Sequence, residues 1–68
     1  MKRYYVNNHA QMNGDHEVHD EDCRYLPSLQ NRIYLGQFTN CKPAVQEAKK
    51  YHRQVNGCKT CCKECHTQ

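Results

Sequence analysis

Cys58-Lys59-Thr60-Cys61-Cys62-Lys63-Glu64-Cys65-His66 is two overlapping Cys-x-x-Cys motifs closed by a histidine, and its reading decides how this chain can fold. Thiols at that spacing fill two neighbouring corners of a tetrahedral shell from one tight turn. A second ligand-type pair, His19-x-x-x-Cys23, lies far upstream. Two such pairs with a foldable segment between them are what a structural Zn²⁺ site needs, because the segment must fold back before the pairs can meet.

A staple of this kind is expected from size alone. The 68 residues are read as one domain, 1–68, and a chain this short buries only about 60 % of the surface exposed in its unfolded form. Large aliphatic residues are nearly confined to Val6, Val18, Leu26, Leu29, Ile33, Leu35, Val45 and Val55, joined by five tyrosines and Phe38. At roughly 25 cal/mol per Å² of apolar burial, such a core barely offsets the ordering entropy of the chain. Disulfides, metal or a partner must supply the rest.

Six cysteines fit either a disulfide framework or a metal site, and the compartment separates the two. Lys2 and Arg3 are basic, but Asn7, Asn8 and His9 stand where a signal peptide needs its apolar stretch. No run approaches the roughly 20 apolar residues of a membrane span. A cytoplasmic protein is therefore expected, with its thiols reduced and its clustered cysteines on metal, without membrane contact and as a monomer. The formal charge of +3 falls to about +2 once three thiolates surround Zn²⁺, which is not a strongly basic domain. Charge is segregated, with Asp15, Glu17, Asp20, Glu21 and Asp22 in one stretch and Lys42, Lys49, Lys50, Arg53, Lys59 and Lys63 in the second half. The acidic stretch reads as solvent-exposed.

Arg3-Tyr4-Tyr5-Val6 has the aromatic and β-branched content of a strand, and 7–14 reads as a polar loop ending at Gly14. Alternation over 15–19 predicts a second strand with His16 and Val18 on one face and Glu17 and His19 on the other. Only one of the two histidines then faces the Cys23 side. Tyr25-Leu26-Pro27 leads into a loop. Arg32-Ile33-Tyr34-Leu35-Gly36 predicts a third strand with Ile33 and Leu35 on one side, ended by Gly36. From Asn40 to Val55, Cys41, Ala44, Val45, Ala48, Tyr51, His52 and Val55 recur at helical spacing. Asn40 suits the N-cap, Pro43 the first turn, and Asn56-Gly57 the stop. The fold class is α+β: a short antiparallel three-stranded sheet with one helix packed on it, stabilised by zinc.

His19, Cys23, Cys58 and Cys61 form the candidate metal set. Cys62-x-x-Cys65 has the same spacing and competes for the same corners, so Cys62, Cys65, His16 and His66 stand as alternates. A Cys62–Cys65 disulfide would close a very short loop and reduce readily, which makes this an idle or redox-labile pair. Cys41 on the apolar helix face reads as a small hydrophobe, His52 as a core-edge histidine, and His9 and His66 as solvated. The tyrosines at 4, 5, 25, 34 and 51 supply core mass that Trp and Phe do not, and with the interleaved Lys and Arg they are also the candidate nucleic-acid face. No catalytic constellation stands out: four good ligands close a zinc shell, whereas a catalytic zinc keeps a position open.

The order His19-x-x-x-Cys23-Arg-Tyr-Leu-Pro, Asn31-Arg-Ile-Tyr-Leu-Gly, a helix from Asn40 to Ala48 and Gly57-Cys-Lys-Thr-Cys61 resembles the Ada-like metal-binding domain over roughly residues 15–62. It is most similar to the short versions whose first ligand is histidine. The resemblance implies one Zn²⁺ on His19, Cys23, Cys58 and Cys61. It also implies an absence, since the first ligand position, which in the family's DNA-repair members is a methyl-accepting cysteine, is here His19. DNA binding is a tendency of the family. The expected function is a small non-catalytic zinc module with a protein or nucleic-acid partner; the alternatives are an accessory domain on the DNA backbone, and a thiol redox or alkyl-acceptor protein using Cys62 and Cys65.

Overall fold

Val6 and Val18, both fully buried, face each other across an antiparallel ladder that sets the centre of the molecule. The computed structural model describes residues 1–67. Its strands are β1 (Lys2–Asn7), β2 (His16–Asp20), β3 (Arg32–Phe38) and β4 (Val55–Gly57), with one helix, α1 (Cys41–Ala48), and two short 3-10 turns at Leu29–Asn31 and Lys63–Cys65. The strands form one sheet in the order β3-β1-β2-β4. β1 pairs antiparallel with β2 and β3, and β4 pairs parallel with β2.

α1 covers one face. Its buried residues are Cys41, Ala44 and Ala48, and the two alanines, having no bulk, let the helix lie close on Tyr4, Val6, Val18 and Leu35. Asn40 caps it by accepting a hydrogen bond from the Lys42 N–H at 2.9 Å, as its short polar side chain should. The opposite face of the sheet carries Tyr5 and Tyr34, their rings 5.4 Å apart, with the Arg32 guanidinium 4.4 Å above the Tyr5 ring.

The architecture is α+β with one helix, but the sheet is four-stranded and mixed, not three-stranded and antiparallel. The extra strand comes from residues expected to be helical. α1 ends at Ala48 and unwinds through tight i→i+3 bonds, Lys50 N–H to Glu47 and Tyr51 N–H to Ala48. Val55-Asn56-Gly57 then pairs with β2, His16 opposite Val55 and Val18 opposite Gly57. His52 and Val55 do turn inward, while Tyr51 is exposed. Helical spacing there imitated a helix because a turn and a strand brought the same residues to the same side. Asn56-Gly57 is accordingly no helix stop. Gly57 is required by space, since a Cβ would lie 2.6 Å from the Cys65 Cβ. Gly36 does not end β3 either: its φ of +129° lies within the strand, beside a register shift opposite Tyr4 and Tyr5, where glycine tolerates the conformation.

Two acids expected in solvent are buried. Asp15 accepts hydrogen bonds from Gln54 Nε2 at 2.7 Å and Asn56 Nδ2 at 3.1 Å, and these, the Gln54 bond foremost, hold its carboxyl below the usual range. Asp20 accepts from the Asp22 N–H at 2.9 Å and faces Lys2 Nζ at 3.4 Å. Among the described residues no helix is long and apolar enough to cross a membrane.

Candidate metal centre

Parallel pairing places the site. Once β4 lies beside β2, the Cys58 N–H bonds to the Val18 carbonyl at 3.0 Å, which sets Cys58 next to His19. The Cys62 N–H then returns to the Cys58 carbonyl at 2.8 Å, and this tight turn swings Cys61 back over the same spot. On the other arm, the Cys23 N–H bonds to the Asp20 carbonyl at 3.2 Å and folds Cys23 toward the end of β2. Strand alternation supplies the last donor, with Val18 in the core under α1 and His19 directed to the other face.

His19, Cys23, Cys58 and Cys61 thereby offer one ligand atom each, all within 4.8 Å of one another, and the group could hold a metal ion. Cys23 Sγ lies 3.9 Å from Cys58 Sγ, and Cys61 Sγ 4.0 Å from His19 Nδ1. The far edge of the His19 ring, Nε2, is 3.6 Å from the Glu17 carboxylate, which favours the proton on Nε2 and leaves Nδ1 free to bind. Backbone amides point at the sulfurs: Asp20 N–H at 3.3 Å from Cys61 Sγ and Thr60 N–H at 3.4 Å from Cys58 Sγ.

Electrostatics of the bare group favour filling it. Burial pushes the Cys23 thiol up to about 12. The neighbouring Cys62 thiol, and then burial, raise Cys61 as well. Burial lowers His19, so its imidazole stays neutral. Cys23 and Cys61 thus resist giving up their protons on their own, and a cation is what makes such thiolates favourable. The donor set, three sulfurs and one neutral nitrogen, fits such a cation.

The alternates fall elsewhere. His16 lies on the α1 side of the sheet and stacks on His52, ring centroids 3.6 Å apart and planes within 4°, with Nδ1 bonded to the Asn7 carbonyl at 3.0 Å. Burial and the His16 charge lower the His52 pKa. His66 is not simply solvated: it is half-buried, with Nδ1 on the Gly57 carbonyl at 2.9 Å. Cys65 does not pair with Cys62; it forms a disulfide with Cys41, which is thus no mere hydrophobe. Cys62 is a free, buried thiol 3.8 Å from Cys61 Sγ. The bridge was not legible in spacing because its halves are 24 residues apart; the helical face that buries Cys41 was the only pointer. For Glu17 as a neighbour of His19, the one signal in the sequence is that the two share a strand face.

Beside Cys58 a cleft of about 450 Å³ opens between Glu17, Tyr25, Lys59 and His66. No family model matches the chain, and no curated protein or solved structure matches it significantly.

Proposed function

We propose that this chain is a zinc-stapled binding module without catalysis of its own, in which His19, Cys23, Cys58 and Cys61 hold one Zn²⁺. The observation that carries the reading is the convergence of four donor atoms within 4.8 Å from two arms of the chain. A tetrahedron with Zn–S near 2.3 Å has S···S edges of about 3.8 Å, and the Cys23–Cys58 separation is 3.9 Å. Four protein donors leave no position for substrate, which argues for a structural ion. The Ada-like resemblance supports the same four ligands. In this reading the protein works as a monomer in the cytoplasm, and its partner is another macromolecule.

Native mass spectrometry of the reduced, purified protein tests it. One zinc per chain is expected, with unfolding on chelation; a fully folded, metal-free chain under reducing conditions would sink the proposal.

A second reading takes the partner to be nucleic acid, and the cluster of Tyr5, Tyr34 and Arg32 on the sheet face opposite α1 favours it, because bases stack on exposed aromatic and guanidinium groups such as Tyr34. Retention on DNA or RNA should then weaken steeply with salt. Retention that ignores salt removes this option.

A further inference from the structure

The Cys41–Cys65 bridge lies outside the metal group yet touches it from behind. Cys65 packs so closely on Gly57 that a Cβ there would lie 2.6 Å from the Cys65 Cβ and 3.0 Å from the Cys62 carbonyl oxygen. The next residue is Cys58, one of the four donors, and its carbonyl holds the Cys62 N–H. The wall that supports the Cys58–Cys61 turn is therefore the 62–65 segment; the bridge ties it to the first residue of α1, while His66 on the Gly57 carbonyl and the Thr67 N–H on Asn56 tie it to β4.

We propose that the Cys41–Cys65 disulfide is a redox-active site that sets how tightly the metal is retained: closed, it slows release of the ion; opened by low-molecular-weight thiols, it leaves the ion bound but quicker to exchange. The inference rests on the zinc reading above. Access favours one sulfur. Cys41 is 3 % exposed, whereas half-buried Cys65 lines a groove with Pro43, Val45 and Glu64. An incoming thiolate attacks Cys65 Sγ, forming a mixed disulfide and breaking the bond to Cys41. Cys41 leaves as a thiolate at the start of α1, where backbone N–H groups favour negative charge, and takes a proton from water. A second thiolate attacks the mixed disulfide at the low-molecular-weight sulfur, releasing Cys65, which is protonated in turn. Two small thiols are oxidised to one small disulfide, and the protein bridge is reduced to two thiols; the reverse exchange closes it. A disulfide in a reducing compartment is usually a transient, redox-sensing one, which agrees with the cytoplasmic setting of the reading.

Opening the bridge leaves the fold its sheet and its four donors but loosens the wall behind Gly57. Loss of such outer support typically weakens metal binding by about 10- to 100-fold.

The test follows zinc transfer to an excess of a chromophoric chelator from the zinc-loaded protein in its disulfide form, after reduction by a phosphine, and after reoxidation with oxidised glutathione. Transfer at least about tenfold faster after reduction, with the slow rate restored by reoxidation, is the expected result. The double variant C41S/C65S should transfer at the fast rate whatever thiol is added. Equal rates in the two redox states overturn the gate while leaving one zinc per chain intact. Absence of zinc from every form, by metal analysis, sinks the zinc reading itself. Should the double variant not fold, the reduced wild type decides: loss of its circular-dichroism signal with zinc still present makes the bridge a folding requirement and also overturns the gate.

Discussion

Glu17 and Gly57 show how much of the candidate site is decided by residues that bind nothing. The Glu17 carboxylate stands 3.6 Å from His19 Nε2, so Glu17→Ala removes the group that keeps the ring in its binding tautomer. Zinc affinity should fall by about tenfold or more with little change in the zinc-loaded fold, as read by chelator competition alongside circular dichroism. Gly57→Ala acts differently, because its new methyl meets the Cys65 Cβ at 2.6 Å and backbone on the other side. A loss of about 1–3 kcal/mol is expected, measured by denaturant unfolding of the zinc-loaded protein; an unchanged midpoint would count against the packing described. The two ligand pairs were legible in the sequence because their spacing is local, whereas the Cys41–Cys65 bridge and the fit at Gly57 depend on neighbours far away in the chain.

Between elements, the join of β2 to β4 is the weak point of the sheet, since β4 has three residues and lies at an edge. Asp15 fastens it by accepting from Gln54 and Asn56. Asp15→Asn replaces an acceptor with an amide that must turn one donor against others, and should cost about 1–3 kcal/mol, seen as a lower thermal midpoint. His52 gives the same join a dependence on pH. Burial first, and then the neighbouring His16, lowers His52 in the fold, while in the unfolded chain a histidine titrates near 6.5. Below that value the unfolded form binds the extra proton, so stability is full above pH about 6.5 and declines as pH falls from there toward the folded value. Unfolding curves at pH 7.5, 6.5 and 5.5 should show the decline, and His52→Gln should make it shallower. The sheet's first three strands could be read from β-branched and aromatic content and from alternation, but β4 could not: three residues carry too little pattern, and the helical spacing of Tyr51, His52 and Val55 outweighed it.

Over the whole molecule, two closures overlap. The candidate metal group joins Cys23 to Cys58, 35 positions apart, and the disulfide joins Cys41 to Cys65, 24 positions apart, so each loop contains one end of the other. In the chain-entropy account a covalent loop of that size contributes about 3 kcal/mol by restricting the unfolded state, which is the order of help that a core built on Tyr4, Val6, Val18, Leu35, Ala44, Ala48 and buried cysteines requires. The α+β class was readable from the order of the elements and the need for a staple from composition; the Cys41–Cys65 bridge, interleaved with the candidate metal group, was not, because pairing between distant cysteines leaves no mark on local sequence. The interleaving bears on damage. Lys49, Lys50 and Arg53 lie exposed between α1 and β4, inside both loops, so a protease that cuts there produces two pieces that stay joined. The nicked protein would gain the mass of one water, run as a single species without reductant, and come apart only when the bridge is reduced and the metal withdrawn.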